Sequence, residues 1–258
     1  MVTEDQADEF RTTGLLRLPG AFPPAAAEAM RERLWEFLAE RDVIDRDAPT
    51  TWRVAAPTGF QPVTHSGAFH AVGSQALCTA LDALFGADGW VRPRWWGRPL
   101  VTFPGSGRWE LPAAGWHFDF MPASAKPRPV QYFAFLGEVP ASGGGTLVLS
   151  GSHRLVARYL DDGKSFRMGA VRTALTEHPW LRELWAPSGP GNPDERIQRY
   201  LGNETTVDGV PLRVVELTGQ PGDVVIMHSD TFHAAAPNRS SQPRMMLTEM
   251  IAPDAAQR

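Results

Sequence analysis

At 258 residues, with 43% hydrophobic and 21% charged side chains, the chain has an ordinary globular composition and enough length to bury a full core. A formal net charge of −4 gives no general basis for binding nucleic acid or a charged membrane surface. No apolar run approaches the roughly 18 residues of a membrane span, and a single cysteine, Cys78, excludes an intrachain disulfide.

The first third carries the helix signals. Residues 5–10 read as a short helix stopped by Thr13-Gly14, and residues 15–18 as a short strand. Pro23 and Pro24 suit a helix start, followed by Ala27, Met30, Leu34, Phe37 and Leu38 at helical spacing. A further helix is predicted over 75–85, with Ser74 as N-cap, Gly86 as stop and Leu77, Leu81 and Leu84 as its buried stripe. Cys78 falls in it and reads as a small buried hydrophobe. The opening Met1-Val2-Thr3-Glu4-Asp5 is acidic and lacks a basic-then-apolar leader pattern, so a cytoplasmic protein is expected.

From about Gly97 the pattern changes to short strands, at 100–103, 131–136, 145–149, 212–217, 223–227, 231–235 and 245–250, separated by turns rich in Pro, Gly, Asn and Ser. The expected architecture is a mainly β, double-stranded β-helix (jelly-roll, cupin-like) barrel with N-terminal helical support, one domain over 1–258. Between Ser150 and Leu212 strand signals thin out. Helical pieces are expected around 174–185 and 195–200, joined by a Pro-, Ser- and Gly-rich run over 187–193. An insertion of this length, approximately 155–211, reads as a lid or pocket wall.

The chemistry concentrates in His117-Phe118-Asp119 and His233, with Arg244 eleven residues further on. In an extended chain residues i and i+2 point the same way, so His117 and Asp119 can face one ion while Phe118 faces away. Two histidines and a carboxylate with open positions are the ligand set of non-haem Fe(II) oxygenases. A guanidinium beside it suits bidentate capture of a carboxylate, which suggests a 2-oxo acid cosubstrate. His233 is preferred to His228 because it lies next to the turn carrying Asn238 and Arg244, and strands joined by that turn are expected to be neighbours. His228 is read as a hydrogen-bonding or packing residue.

With these residues in place, the chain resembles the phytanoyl-CoA dioxygenase-like family of Fe(II)- and 2-oxoglutarate-dependent oxygenases. Gly14 to Phe22 is similar to that family's first strand and turn, and His117-Phe118-Asp119 to its metal motif. Gly143 to Arg154 is similar to its Gly-rich strand, with Ser150 where Pro is usual, and His228, His233, Asn238, Ser240 and Arg244 match its closing block. The resemblance implies Fe(II) on His117, Asp119 and His233, with 2-oxoglutarate and O2 as cosubstrates and Arg244 on the far carboxylate. It implies hydroxylation of an unactivated C–H of a small molecule, with release of succinate and CO2. Gln131, Phe133 and Thr146 are expected to line the cosubstrate cavity. Asp119 argues for oxygen transfer, since halogenating relatives carry a small residue there. His153 is structural in this pattern. Ala235 departs from the small polar or Gly residue that many relatives place near the cosubstrate.

The remaining candidates are less specific. His65 and His70 lie before the barrel and either border the substrate entrance or are satisfied surface or core histidines, and His178 caps or packs within the insertion. Trp52, Arg53, Trp95, Trp96, Arg98 and Trp109 offer an aromatic and basic pocket wall, or ordinary packing. Two further readings stay open: a non-catalytic ligand-binding barrel with a degenerate metal site, and a non-oxidative cupin-type metalloenzyme. The partner implied is a small-molecule substrate, with no nucleic acid or membrane; nothing in the sequence sets an oligomeric state.

Overall fold

The fold was analysed in a computed structural model that describes residues 2–119, 127–161, 167–187 and 192–254. In chain order these form α1 (Glu4–Thr13), β1 (Leu15–Leu18), α2 (Pro24–Asp42), α3 (Gln61–His65), α4 (Gln75–Phe85), β2 (Arg98–Thr102), β3 (Val130–Phe135) and β4 (Leu147–Ser150). There follow α5 (Ser152–Asp161), α6 (Met168–Leu175), α7 (Pro179–Leu184), α8 (Pro193–Ile197), a π-helical turn (Gln198–Gly202), β5 (Thr205–Val207), β6 (Val210–Glu216), β7 (Val224–His228), β8 (His233–Ala234) and β9 (Arg244–Ile251). No helix among the described residues is long and apolar enough to cross a membrane.

The local rules account for most boundaries. Thr3 and Gln6 close a capping box before α1, and Gly14 ends it in the left-handed region at φ 77°. Pro24 opens α2, whose Ala27, Met30, Leu34, Trp35 and Leu38 are buried, while Phe37 is partly so. Ser74 caps α4 by accepting the Leu77 N–H.

Among the described residues nine strands form two antiparallel sheets, of order β1-β7-β3-β9-β2 and β5-β6-β4-β8. The side chains separate three apolar layers. Leu15, Phe133, Phe135, Val225, Met227 and Met246 of the larger sheet meet Val148 and Leu217 between the sheets. The larger sheet's other face, with Tyr132, Ala134, Ile226 and Leu247, packs beneath α2 and α4. The smaller sheet's outer face, with Leu147, Leu149, Leu212 and Val214, packs against Leu155, Val156, Leu181 and Leu184 of α5 and α7. The expected mainly β architecture with N-terminal helical support is therefore present.

Several expectations need correction. Ser152-His153 opens a ten-residue helix where only a turn was read; Leu155, Val156, Tyr159 and Leu160 give it an apolar face. The helix expected around 174–185 is two helices, parted by the turn that precedes Pro179. Residues 205–210, inside the stretch read as poor in strands, contain β5 and a hairpin. Asp208 (φ 49°) and Gly209 (φ 72°) supply its two left-handed positions, the signature of a type I′ turn. The strand expected at 231–235 shrinks to two residues, because a tight turn occupies the positions before it. Of the Pro-rich loop before β3, residues 122–126 lie outside the described residues, as do 188–191 of the run at 187–193.

Candidate metal centre and anion clamp

The smaller sheet ends in a narrow ladder. β8 pairs with β4 in the register Val148↔His233, and on its other side His117 forms an isolated bridge with His233. The two histidines exchange backbone hydrogen bonds, His117 N–H to His233 O at 2.9 Å and His233 N–H to His117 O at 2.7 Å. Directly paired residues share a face, so both imidazoles stand with Val148 in the space between the sheets. Their ring centroids are 4.2 Å apart. Asp119 follows two residues on, with its N–H donated to Ser229 O at 3.2 Å. Phe118 points the other way, edge-on to Phe232 in the outer core.

The three side chains offer one ligand atom each, all within 4.8 Å of one another. The histidine tautomers follow from their neighbours. His117 Nδ1 lies 2.7 Å from Gly115 O, and His233 Nδ1 lies 3.1 Å from Thr231 O. A carbonyl only accepts, so each Nδ1 carries the proton and each Nε2 presents its lone pair to the shared centre. His233 Nε2 and Asp119 Oδ2 are 3.8 Å apart, too far for a hydrogen bond and within the span of two ligands on one ion. Asp119 Oδ2 is buried and has no hydrogen-bond partner among the described residues. An orphaned carboxylate oxygen facing two imidazole lone pairs is unfavourable alone and is satisfied by a divalent cation. Burial, and then the neighbouring His117, lower the His233 pKa from its ordinary value, which favours the neutral, ligating form. The donor set fits Fe(II).

Arg244 is reached differently from the way the sequence suggested. β8 and β9 are not neighbours; they belong to different sheets, and the chain crosses between them over residues 235–243. Asn238 pins that crossing, donating to Thr102 O at 3.0 Å and Gln242 O at 2.8 Å. Arg244 pairs with Thr102 and alternates with Met246, which lies in the layer between the sheets. Arg244 thus faces inward from the larger sheet. Its Nη2 donates to Thr102 Oγ1 at 2.6 Å, and its Nε has no partner among the described residues. Burial lowers its pKa to about 10, with the Glu216 charge opposing, so it stays a cation at neutral pH. A buried guanidinium with a spare donor suits an incoming carboxylate.

Gln131, Phe133 and Thr146 are all buried. Phe133 packs edge-on to His233, ring centroids 6.5 Å apart. Gln131 donates to Thr248 Oγ1 at 2.9 Å, while its Oε1 has no partner among the described residues. Thr102 and Thr248 were missed in the sequence; short polar residues in edge and central strands carry no signal until the register is known. A cavity of about 480 Å³ reaches Arg244, Thr102 and Ala235, and His65, Trp95 and Arg98 also line it. The triad is absent from its lining; Ala235, two residues past His233, is the link along the chain. The other candidates divide. Trp52 and Trp96 pack with the N-terminal helices and Trp109 lies in the outer core of the smaller sheet. Arg53 lines a separate depression, and His70 stacks on Trp95 without lining the cavity. His178 caps α7, its Nδ1 accepting the Trp180 N–H. His228 Nδ1 accepts the Asp230 N–H, and its ring packs on His153, whose Nε2 donates to Arg11 O.

Comparison with known proteins shows the family and the fold. Residues 10–246 match the model of the phytanoyl-CoA dioxygenase (PhyH) family. Among solved structures, the chain is similar to the non-haem α-ketoglutarate-dependent epimerase SnoN from nogalamycin biosynthesis, at 16% identity and a TM-score of 0.56, covering 96% of this chain and 80% of that one. It is also similar to the carbocyclase SnoK from the same biosynthesis, at 18% identity and 0.53, covering 98% and 84%. HygX from Streptomyces hygroscopicus, solved with nickel and 2-oxoglutarate bound, is 14% identical with a TM-score of 0.56, covering 99% and 88%. No curated protein matches the sequence significantly. The chain belongs to the phytanoyl-CoA dioxygenase family and is an enzyme of the 2-oxoglutarate-dependent oxygenase class, with iron, 2-oxoglutarate and O2 as its cofactor set.

Proposed function

We propose that the enzyme hydroxylates an unactivated C–H of a small molecule, with His117, Asp119 and His233 as the Fe(II) ligands and Arg244 as the clamp on 2-oxoglutarate. The observation that carries this reading is the convergence of three ligand atoms within 4.8 Å with both histidine tautomers fixed. When bound there, iron and 2-oxoglutarate supply oxygen activation coupled to release of succinate and CO2. The protein's own residues do the rest. Gly115 O and Thr231 O hold the imidazoles as Nε2 donors, and Ser229 O fixes the backbone of Asp119. Arg244 and Thr102 take the distal carboxylate from the opposite sheet. Phe133 excludes water from one flank of His233, and Gln131 Oε1 offers an acceptor in the same layer. Thr146 is read as part of the same cavity wall.

The two sheets are read as a double-stranded β-helix barrel in one domain over 1–258. The helices between β4 and β5 pack on the outer face of the metal-bearing sheet, away from the ligand atoms, so of the lid and pocket-wall readings we keep the wall that backs that sheet. The cavity bounded by Trp95, His65 and Arg98 is read as part of the path by which a small molecule reaches Arg244 and Ala235. A cytoplasmic location is proposed on the single free cysteine. The SnoN and SnoK names show that epimerisation and ring closure are chemistries of proteins with this fold, so the product, not only turnover, must be measured. Incubating the iron-loaded enzyme with 2-oxoglutarate and O2 should give succinate, and a true substrate should raise that rate and gain one oxygen by mass. Folded, iron-loaded protein that forms no succinate under any condition refutes the reading. A product without added oxygen refutes hydroxylation alone.

A further inference from the structure

The turn between β7 and β8 grips the proposed iron ligands through its backbone. Ser229 O accepts the Asp119 N–H at 3.2 Å, and Thr231 O accepts the His233 Nδ1 proton at 3.1 Å. Between those two carbonyls stands Asp230, whose side chain is 2% exposed. A carboxylate buried this far needs a cation and filled lone pairs. The cation is Arg128, 102 residues earlier: Nε donates to Oδ2 at 2.9 Å and Nη2 to Oδ1 at 2.6 Å, fork against fork, and the Ser229 hydroxyl adds a longer bond to Oδ1 at 3.4 Å. The same stretch adds backbone ties, since Pro129 O accepts the Ser229 N–H at 3.1 Å and Val130 pairs with His228. The turn is closed internally by the Thr231 N–H to His228 O bond at 3.0 Å.

We propose that Arg128 and Asp230 form a positioning clamp for the metal triad. The inference rests on the reading of His117, Asp119 and His233 as the iron ligands. Neither clamp residue supplies a ligand. Together they fix the height and orientation of one short turn, whose two carbonyls aim one carboxylate and one imidazole. β8 is only two residues long, so its pairing with β4 cannot hold His233 unaided. The clamp joins this thin edge to the entry of β3, a strand buried along its whole length.

A buried ion pair that served only stability would be replaceable by apolar side chains of similar volume without loss. The test is therefore Arg128→Met/Asp230→Leu in the full chain, with Co(II) as the spectroscopic probe of the site. The expected result is a folded protein with a thermal midpoint near wild type, about 10–100-fold weaker Co(II) affinity, and altered d–d bands. Wild-type affinity and an unchanged spectrum would overturn the clamp. Arg128→Lys keeps the charge without the fork and decides the matter should the double variant not fold. Altered Co(II) bands in the lysine variant support the clamp, and unaltered bands with full affinity overturn it. Wild-type protein that binds no Co(II) at all refutes the triad itself, and the clamp with it.

Discussion

The two sheets hold the residues of the proposed site by different means. The larger sheet presents Arg244 from a strand of eight residues that pairs on both sides, and its central strand β3 is buried along its whole length. Packing above and below leaves Arg244 little freedom, and one hydrogen bond to Thr102 completes its placement. The smaller sheet presents His233 from a strand of two residues, and His117 only from an isolated bridge. There the side chains are fixed by polar fastenings: two backbone carbonyls on the imidazoles, one on the Asp119 N–H, and an ion pair behind the turn. A thick sheet can aim a side chain by burial alone. A thin edge must aim it by hydrogen bonds, which have direction, and here they bring three side chains of the proposed triad close enough to share an ion.

The contrast can be broken first at the metal. Asp119→Ala and His233→Ala should each abolish tight Fe(II) binding, a loss beyond the roughly 10–100-fold that follows removal of an outer hydrogen-bond partner. Asp119 Oδ2 has no protein partner among the described residues, so its removal should leave the thermal midpoint near wild type. Metal titration with a parallel melt checks both; full Fe(II) loading of either variant would remove that residue from the triad. Arg244→Lys acts on the other sheet. A point charge replaces a fork, and losing one charge-assisted hydrogen bond of about 1.5–3 kcal/mol weakens 2-oxoglutarate by roughly 10- to 100-fold. Fe(II) affinity should not change, which calorimetry on the two ligands separately would show. If both affinities fall together, the sheets are not independent in the way described.

A smaller effect belongs to the seam between the sheets. His153, at the start of α5, packs on His228 of β7 and bonds to Arg11 O of α1. Burial, with His228 adding to it, pushes its pKa down to about 3. The folded protein therefore holds it neutral while the unfolded chain takes up a proton below about pH 6.5. The unfolded state binds more protons across that interval, so stability should decline as pH falls from about 6.5 towards 3 and level off below. Thermal midpoints of wild type and His153→Gln over that range should converge as the pH falls; parallel curves would contradict the assignment. The smallest change is expected in the helical support. Val43 ends α2 at φ 56° and is 80% exposed, a left-handed position that a β-branched residue adopts at a cost. Val43→Gly should raise stability by roughly 1 kcal/mol with the denaturant slope unchanged.

The legible part of this protein was local. Gly14, Ser74 and the prolines at 23 and 24 announce their helix ends through side-chain and backbone chemistry that acts within four residues. His117 and Asp119 could be paired because i and i+2 share a face in any extended chain. What stayed hidden depends on which strands meet. The sequence suggested that Arg244 is a strand neighbour of His233, whereas the chain crosses to the other sheet at Asn238 and brings Arg244 opposite. No local pattern separates a hairpin from a crossover over the nine residues 235–243. Arg128 and Asp230 were hidden for the same reason: 102 residues part them, and each alone reads as an ordinary surface charge. The Asp208-Gly209 hairpin was legible and overlooked, since its turn signal lay inside a stretch assigned to the insertion.

The most direct test of the triad and Arg244 together is an anaerobic titration of metal-free enzyme with Fe(II) and then 2-oxoglutarate, followed by visible absorption. A weak metal-to-ligand charge-transfer band should appear only when both are present and should saturate at one of each per chain, as chelation by a 2-oxo acid at a triad-held iron requires. A folded protein that loads iron and gives no band on adding 2-oxoglutarate would contradict the assignment of His117, Asp119, His233 and Arg244 to a single oxygenase site.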